Sequence, residues 1–269
     1  MVMFEKYQAT GNDFILSLTE PHNPASFAKS ICDRHFGIGA DGFIYPVPST
    51  KAAIGMKYFN SDGSEAPMCG NGMRAFVRFI YSHELVSLPT FSVETLGGII
   101  EVSQNKEHIA LNLGAPILTH HIPYSQWLTH TDKALHFSVD GRDYDLHLIT
   151  LGTIHGVIFV KSYEEFDFDQ VGHTLSTHPF FLKGVNVNFV RIVDESTLEV
   201  RTYERGAGPT LSCGTGVGAS AYVAHRVKQT SNYLDVHVAG GHLQVKLGKQ
   251  VVLIGPAEKI ATIDYEGEG

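Results

Sequence analysis

The sequence predicts an α+β protein of two pseudo-symmetric domains, each a curved, mostly antiparallel sheet wrapped around a central helix. Two matching stretches, Cys69-Gly70-Asn71-Gly72 and Cys213-Gly214-Thr215-Gly216, lie 144 positions apart in the chain. Each runs into an apolar segment typical of a buried helix, residues 73–80 and residues 217–224. Many short apolar runs separated by glycine turns supply the strands.

The correspondence between the two halves extends beyond the cysteines. The turn at Gly11 is matched 141 positions later by Gly152, and Gly97-Gly98 is matched 143 positions later by Gly240-Gly241. Spacings this similar indicate one unit written twice. They predict one domain of residues 1–115 with 257–269 and a second domain of residues 116–256.

The elements of the first half follow from apolar runs and the turn residues between them. A helix opens near Pro24, because proline is favoured in a first turn, and it buries Phe27 and Ile31. The other predicted elements are strands on both sides of Gly11 within residues 4–16, strands at 43–47, 54–59, 90–94, 98–102 and 109–113, and a helix from Cys69 to about residue 85. A linker is predicted from Gly114 to Tyr124.

The second half repeats this style. Strands are predicted at 146–151, 157–160, 187–193 and 197–203 and on both sides of Gly240-Gly241, with helices at 168–175 and from Cys213 to about residue 227. Residues 152–156 are predicted as the turn that matches Gly11. The residues after Gly255-Pro256 are predicted to return to the first half.

Composition excludes several function classes. Hydrophobic residues make up 43% of the chain, charged residues 18%, and the net charge is −8. No basic stripe is present to neutralise phosphates, so nucleic acid is not expected as a partner. No run approaches 18 apolar residues, and the N-terminus lacks a signal-peptide pattern, so we expect a cytoplasmic protein that does not span a membrane.

Cysteine and histidine spacing predicts neither a disulfide framework nor a metal site. The three cysteines are too few and too odd in number, and none forms a Cys-x-x-Cys pair. The 15 histidines are scattered apart from His120-His121, which we expect on the surface or in the linker. Cys32 is expected to be a small core residue. No cofactor is expected.

Two thiols at two helix starts predict a particular chemistry. A helix start offers unpaired N–H groups and a partial positive charge, so it favours a bound anion and a cysteine thiolate. If the halves face each other, two helix starts converge on one carboxylate, with a thiol on each side of its α-carbon. One thiolate base and one thiol acid then suit proton removal on one face and return on the other.

Further motifs surround these cysteines in chain order. They are Gly11-Asn12-Asp13-Phe14, Phe59-Asn60-Ser61-Asp62-Gly63-Ser64-Glu65, Val185-Asn186-Val187 and Tyr203-Glu204-Arg205-Gly206-Ala207-Gly208. With both Cys-Gly-x-Gly stretches, they make the chain similar to the diaminopimelate epimerases, PLP-independent enzymes that interconvert LL- and meso-diaminopimelate in the lysine and cell-wall pathway. The resemblance covers almost the whole chain and implies two pseudo-symmetric domains that close over the substrate, and a homodimer.

The resemblance also implies a role for each matching residue. Cys69 and Cys213 are the base and acid pair, with Cys69 taking the proton from the LL isomer, and His155 and Glu204 tune the two thiols. Backbone N–H groups at Gly70, Asn71, Gly214 and Thr215 hold the reacting carboxylate. Asn12 and Glu204 hold the reacting ammonium, and Asn60, Asn186 and Arg205 recognise the distant end.

Two departures from the family pattern concern the substrate. Gly152-Thr153-Ile154-His155 stands where Gly-Asn-Pro-His is common, so Thr153 replaces an asparagine that helps bind the distant end. Gly42 stands where some relatives carry a substrate-contacting glutamine. Two alternatives therefore stay open: a related racemase for another amino acid, such as histidine, and a non-catalytic binding protein on a degenerate duplicated fold.

Overall fold

The computed structural model describes residues 2–105, 107–118 and 134–266. The chain divides into two compact units, Met1–Asn112 with Ile254–Gly269, and Leu113–Leu253. The predicted linker residues from 119 onward, with the His120-His121 pair, lie outside the described residues. No helix in the part of the chain that the structure describes is long and apolar enough to span a membrane.

The elements follow one another in two similar series. The first series is β1 (Val2–Ala9), β2 (Asn12–Leu16), α1 (Pro24–Ile31), β3 (Gly42–Val47), β4 (Ile54–Asn60), α2 (Gly70–Ser82), β5 (Thr90–Thr95), β6 (Gly98–Gln104) and β7 (Ile109–Asn112). The second is β8 (Ile117–Leu118), β9 (Leu135–Val139), β10 (Arg142–Leu151), β11 (Thr153–Phe159), α3 (Phe168–Ser176), β12 (Asn186–Ile192), β13 (Thr197–Glu204), β14 (Gly208–Thr210), α4 (Gly214–Lys228), β15 (Tyr233–Val238), β16 (Gly241–Leu247) and β17 (Val251–Gly255). The last strand is β18 (Glu258–Tyr265).

The first unit is a mixed sheet packed on a central helix. Neighbours β1–β2, β3–β4, β5–β6 and β6–β7 are antiparallel, whereas β2–β3 and β4–β5 are parallel. Parallel neighbours require a crossover, and α1 and α2 lie in the two crossovers. The C-terminal strand β18 pairs antiparallel with β1.

The second unit has the same pairing order. Its antiparallel neighbours include β10–β11, β12–β13 and β15–β16, and its parallel neighbours are β11–β12 and β13–β15. The helices α3 and α4 lie in those two crossovers. Thus β10 to β16 repeat the topology of β1 to β6, with α4 in the place of α2, and the predicted internal repeat is present in the strand pairing. The predicted α+β class is confirmed.

The two central helices, α2 and α4, are both buried against strands, but they pack through different kinds of residue. Helix α2 packs on β1, β2, β3 and β7, and nearly all of its first eleven residues are buried. Helix α4 packs on β10 to β13 and on β15 and β16 through small residues. A Cβ atom at Gly218 would lie 2.9 Å from Leu151 and 3.0 Å from Leu113 side-chain carbons, so glycine permits this close approach.

The main difference from the predicted elements is the turn in the second half. The predicted turn at residues 152–156 is wrong, because Gly152 alone, at φ +71°, closes the hairpin between β10 and β11. His155 therefore lies inside β11 and is fully buried. The sequence interpretation also missed the short strands β8, β9 and β14. With two and three residues, β8 and β14 are too short to show an alternating pattern, whereas β9 does alternate apolar and polar residues and was overlooked.

Candidate active site

Cys69 lies at the start of α2 in the first unit. It is the N-cap residue, with extended backbone angles, and its Sγ accepts the N–H of Gly72 at 3.4 Å. Its carbonyl oxygen accepts the N–H of Met73 at 2.8 Å, which closes the first helical turn. The side chain is partly exposed. An N–H donor and the positive end of a helix dipole both stabilise negative charge on this sulphur.

The turn between β1 and β2 lies beside this helix start. Asn12 accepts a hydrogen bond from the side-chain amide of Asn71 through its Oδ1, and its own Nδ2 donates to Asp41 Oδ2 at 2.9 Å. Thr10 and Gly11 both have positive φ, +47° and +91°, which turns the chain sharply ahead of Asn12. The structure thus brings together Asn12, Asn71 and the Cys69 helix start, as the candidate residues require.

A buried cation that the sequence interpretation missed lies on α2. Arg74 is fully buried; its Nη2 donates to Thr10 Oγ1 at 2.8 Å and its Nε donates to the Pro256 carbonyl at 3.1 Å. Its Nη1 has no hydrogen-bond partner among the described residues. Burial lowers the pKa of Arg74 to about 10, and the Cys69 sulphur opposes that shift. The visible signal was an arginine on the mostly apolar helix α2, where Arg78 is a second arginine.

Asn60 ends β4, and a residue of β3 lies opposite it. Its Nδ2 donates to Ser64 Oγ at 3.0 Å, and its register partner in β3 is Gly42. A Cβ atom at position 42 would lie 2.4 Å from a ring carbon of Tyr58 and 2.7 Å from the Phe59 carbonyl oxygen. Any side chain at position 42, glutamine included, therefore requires these neighbours to move.

Cys213 occupies the equivalent place at the start of α4 in the second unit. It is again the N-cap residue, and its carbonyl accepts the N–H of Val217 at 2.8 Å. Unlike Cys69 it is buried, with 6% of its surface exposed. Burial first, and then the nearby Glu204 carboxylate, raise the pKa of the Cys213 thiol. The two matching cysteines therefore have different environments.

Glu204 favours the neutral form of Cys213. It is the last residue of β13, and its Oε1 accepts the hydroxyl of Thr210 at 2.7 Å. Burial raises the pKa of Glu204, whereas its hydrogen bonds with Thr210 and with the Cys213 thiol oppose that rise. A thiol that donates to a carboxylate is stabilised as the thiol.

His155 reaches Cys213 through Thr215. The His155 Nε2 lies 3.1 Å from Thr215 Oγ1, which in turn lies 3.7 Å from Cys213 Sγ. Burial, and secondarily the charge of Arg205, lower the pKa of His155 to about 3. The imidazole is therefore neutral at physiological pH.

Asn186 and Arg205 also meet in this unit. Asn186 Oδ1 accepts the backbone N–H of Arg205 at 2.9 Å, and Arg205 Nη1 donates to the Lys183 carbonyl at 3.0 Å. Thr153, the first residue of β11, follows the Gly152 turn. The candidate residues thus fall into the two units. In the first unit Asn12 lies at the start of the central helix with Cys69 to Asn71, and Asn60 lies at the end of β4. The residues of the second unit are His155, Asn186, Glu204, Arg205 and Cys213 to Thr215.

Among the described residues, no group of three or more His, Cys, Asp or Glu side chains is arranged to hold a metal ion. The groups that the candidate residues supply are two thiols, backbone N–H groups, side-chain amides, a carboxylate and a guanidinium.

The duplicated unit, with a cysteine ahead of each central helix, belongs to a fold found in epimerases, racemases and phenazine-biosynthesis-type proteins. The chain is similar to the crystal structure of a Bacillus anthracis phenazine biosynthesis protein of the PhzF family, at 18% identity and a TM-score of 0.71, covering 97% of this chain and 98% of that one. It is also similar to a hydroxyproline epimerase from Agrobacterium vitis, at 11% identity and a TM-score of 0.69, covering 97% and 91%. At these identities the likeness shows the fold.

Sequence comparison identifies the family within this fold. The family model described as diaminopimelate epimerase matches residues 4–119 and 147–260. Diaminopimelate epimerases of Alkaliphilus metalliredigens and Caldanaerobacter subterraneus are 38% and 39% identical to the chain, covering 96% of it and 95% and 97% of their own lengths. The chain belongs to the diaminopimelate epimerase family, a family of isomerases. The alternative of a racemase for another amino acid is not better supported by these relatives.

Proposed function

We propose that this protein interconverts LL- and meso-diaminopimelate by moving a proton at one α-carbon, without PLP, using Cys69 and Cys213 as base and acid. One observation carries the proposal: in a chain of this family, each repeat places a cysteine as the N-cap of its central helix. A helix start stabilises both a thiolate and a substrate carboxylate, the two anions that this reaction needs.

The unequal environments of the two thiols support an order of proton transfer. Cys69 accepts the Gly72 N–H, which favours its thiolate, whereas burial and the Glu204 carboxylate favour the thiol of Cys213 more than the Gly216 N–H favours its thiolate. In that state the Cys69 thiolate takes the α-proton of the LL isomer and the Cys213 thiol protonates the opposite face. The roles are exchanged for the meso isomer, since each thiol ends the reaction in the other's starting state.

The helix starts stabilise the negative charge that develops during this transfer. Removing the α-proton places charge on the substrate carboxylate, which the N–H groups of Gly70, Asn71, Gly214 and Thr215 hold in this proposal. Donors fixed in the folded backbone need no reorganisation as the charge develops, so they lower the barrier rather than only tightening binding. The reacting ammonium lies against Asn12 Oδ1 and the Glu204 carboxylate.

The distant end of the substrate is assigned to Asn60, Asn186 and Arg205. Arg205 has a planar guanidinium that suits bidentate recognition of a carboxylate, which diaminopimelate carries at both ends. Its position is supported by two hydrogen bonds, one to Asn186 and one to the Lys183 carbonyl. Thr153 offers a hydroxyl in place of the usual amide, which leaves one fewer donor for that end.

We also propose a domain organisation, a location and an oligomeric state for the protein. We propose one domain of residues 1–115 with 257–269 and a second of residues 116–256, each carrying one of the two cysteines. The protein works as a cytoplasmic homodimer that supplies meso-diaminopimelate for lysine and peptidoglycan precursors.

Proton exchange in deuterated water tests the proposed function. The reduced protein is incubated with LL-diaminopimelate, with meso-diaminopimelate and separately with histidine, and deuterium at the α-carbon is followed by mass spectrometry. We expect deuterium incorporation and interconversion with both diaminopimelate isomers and none with histidine. Exchange with histidine alone would replace the substrate assignment, and no exchange with any amino acid would reject the enzymatic function.

A further inference from the structure

We propose that Asn188 is a positioning residue which fixes the tautomer of His155, so that the Thr215 hydroxyl donates a hydrogen bond to Cys213 Sγ. The inference deepens the proposed function and rests on it for its catalytic meaning. Its geometry lies wholly within the second unit. Asn188 was not among the candidate residues, although it follows Asn186 in the polar-apolar alternation Asn186-Val187-Asn188-Phe189 of β12.

The orientation of the Asn188 amide follows from its partners. Asn188 is fully buried, and its Nδ2 lies 3.1 Å from the carbonyl oxygen of Gly156. A carbonyl oxygen only accepts, so the atom facing it is the NH2 group. The Oδ1 atom then accepts the hydroxyl of Thr202 at 2.9 Å, from the cross-strand position opposite Asn188 in β13. The amide is therefore fixed in one orientation.

This orientation determines where His155 carries its proton. The second hydrogen of Asn188 Nδ2 is directed at His155 Nδ1, 3.2 Å away. Nδ1 must therefore be an acceptor, and because a neutral imidazole carries a single proton, that proton lies on Nε2. Burial, and after it the positive charge of Arg205, oppose protonation of the imidazole, so the ring stays neutral.

The fixed tautomer directs the next two hydrogen bonds. His155 Nε2–H donates to Thr215 Oγ1 at 3.1 Å, which leaves the hydroxyl hydrogen of Thr215 for another acceptor. Cys213 Sγ lies 3.7 Å from that oxygen, within hydrogen-bond range for sulphur. The result is a chain of donors in one direction: Thr202 to Asn188, Asn188 to His155, His155 to Thr215, and Thr215 to Cys213.

These hydrogen bonds stabilise the form of Cys213 that Glu204 disfavours. Glu204 accepts from the Cys213 thiol and stabilises it as an acid, whereas a hydroxyl donor stabilises the Cys213 thiolate, the base for the meso isomer. Cys213 must exist in both forms during a reversible reaction: Glu204 favours the thiol, and the Thr215 hydroxyl acts with the Gly216 N–H to favour the thiolate. The side chain of Thr215 thus acquires a role separate from its backbone N–H.

The tautomer of His155 is measured directly in the wild-type protein. The chemical shifts of the two ring nitrogens in ¹⁵N-labelled protein distinguish Nε2–H from Nδ1–H imidazole, and the signals of His155 are assigned by their loss in His155→Gln. We expect the neutral Nε2–H tautomer throughout the neutral range. In Asn188→Leu we expect the preference to be lost. An Nδ1–H or charged imidazole in the wild-type protein would overturn the inference.

The hydroxyl donor is tested by the reactivity of Cys213 in a Cys69→Ser background. The alkylated cysteine is identified by peptide mass spectrometry, because Cys32 is buried as Cys213 is. Alkylation by iodoacetamide follows the thiolate fraction. We expect Thr215→Val to slow alkylation of Cys213 about tenfold, corresponding to about one pKa unit, and Thr215→Ser, which keeps the hydroxyl, to react as the background protein does. Equal rates in the two variants would overturn the inference.

Neither measurement uses diaminopimelate, so a failure of the proposed function and a failure of this inference are distinguishable. A protein that shows the expected tautomer and alkylation rates without epimerising its substrate retains the hydrogen-bond chain and rejects the enzymatic assignment.

Discussion

Replacing the second glycine of each Cys-Gly-x-Gly turn, Gly72 or Gly216, by alanine should affect the two repeats very differently. At Gly216 an added Cβ would lie 2.3 Å from Asn188 Oδ1 and 3.3 Å from Cys213 Sγ. At Gly72 the nearest atoms would be the ends of the Ile44 and Phe14 side chains, at 3.1 and 3.3 Å. Only the 2.3 Å contact at Gly216 is too short to form without movement of the neighbouring atoms. The atom that would have to move is Oδ1 of the fully buried Asn188.

The expected magnitude follows from what Asn188 would lose. Overpacking a well-filled interior costs about 1–3 kcal/mol, and each hydrogen bond lost by Asn188 costs about 1 kcal/mol more. We therefore expect Gly216→Ala to lower the free energy of unfolding by about 2–4 kcal/mol. Gly72→Ala should stay within about 1 kcal/mol of the wild type, because its neighbours can give way and alanine favours the helix.

Thermal unfolding by calorimetry, with the α-proton exchange assay, checks this pair. A loss of 2–4 kcal/mol corresponds to a melting temperature lower by roughly 4–16 °C for a unit of this size. Gly216→Ala should also lose most of its exchange activity, since Asn188 and Cys213 are both displaced. Equal melting temperatures and activities for the two variants would refute the packing argument.

Three other perturbations give distinct outcomes. His155 has a folded pKa of about 3 against an ordinary 6.5, so the unfolded state binds the extra proton and wild-type stability falls as pH drops below 6.5. Between pH 6.5 and 4.5, the free energy of unfolding of His155→Gln, measured by denaturant titration, should fall by about 2–3 kcal/mol less than that of the wild type. Identical pH profiles would contradict the lowered pKa of His155. Arg74→Met should slow iodoacetamide alkylation of Cys69 several-fold in a Cys213→Ser background, because the buried cation favours the thiolate, and an unchanged rate would remove Arg74 from this role. Arg205→Lys should raise the KM for diaminopimelate roughly 10- to 100-fold through loss of bidentate contact, and an unchanged KM would place the distant carboxylate elsewhere.

Local signals in the sequence predicted most elements of the fold. Turn residues and apolar runs placed β4, β12 and β13 within one residue of their observed starts, because a strand begins where such a signal begins. The same is true of α2 and α4, whose starts are marked by a residue that suits an N-cap followed by glycine. The internal repeat could be read from spacing alone, and the matching parallel and antiparallel pairs follow it.

What the sequence did not predict depends on contacts between distant residues. Asn188 looked like any polar residue within a strand until its register opposite Thr202, and its neighbour in β11, were known. Arg74 stood out only by its charge, and its partners Thr10 and Pro256 come from opposite ends of the chain. The turn at Gly152 was predicted too long because glycines lie on both sides of Thr153-Ile154-His155, and a histidine carries no signal for burial in a strand.

The central claim is that two thiols act on opposite faces of one α-carbon, and isotope content at early times tests it most directly. The reaction is started in deuterated water from each diaminopimelate isomer in turn, and product and remaining substrate are separated within the first few per cent of conversion. A base on each face predicts product that carries deuterium while the substrate still carries hydrogen, in both directions, and no interconversion by Cys69→Ala or Cys213→Ala. Product that retains the substrate's own hydrogen, or an active single-cysteine variant, would contradict the account.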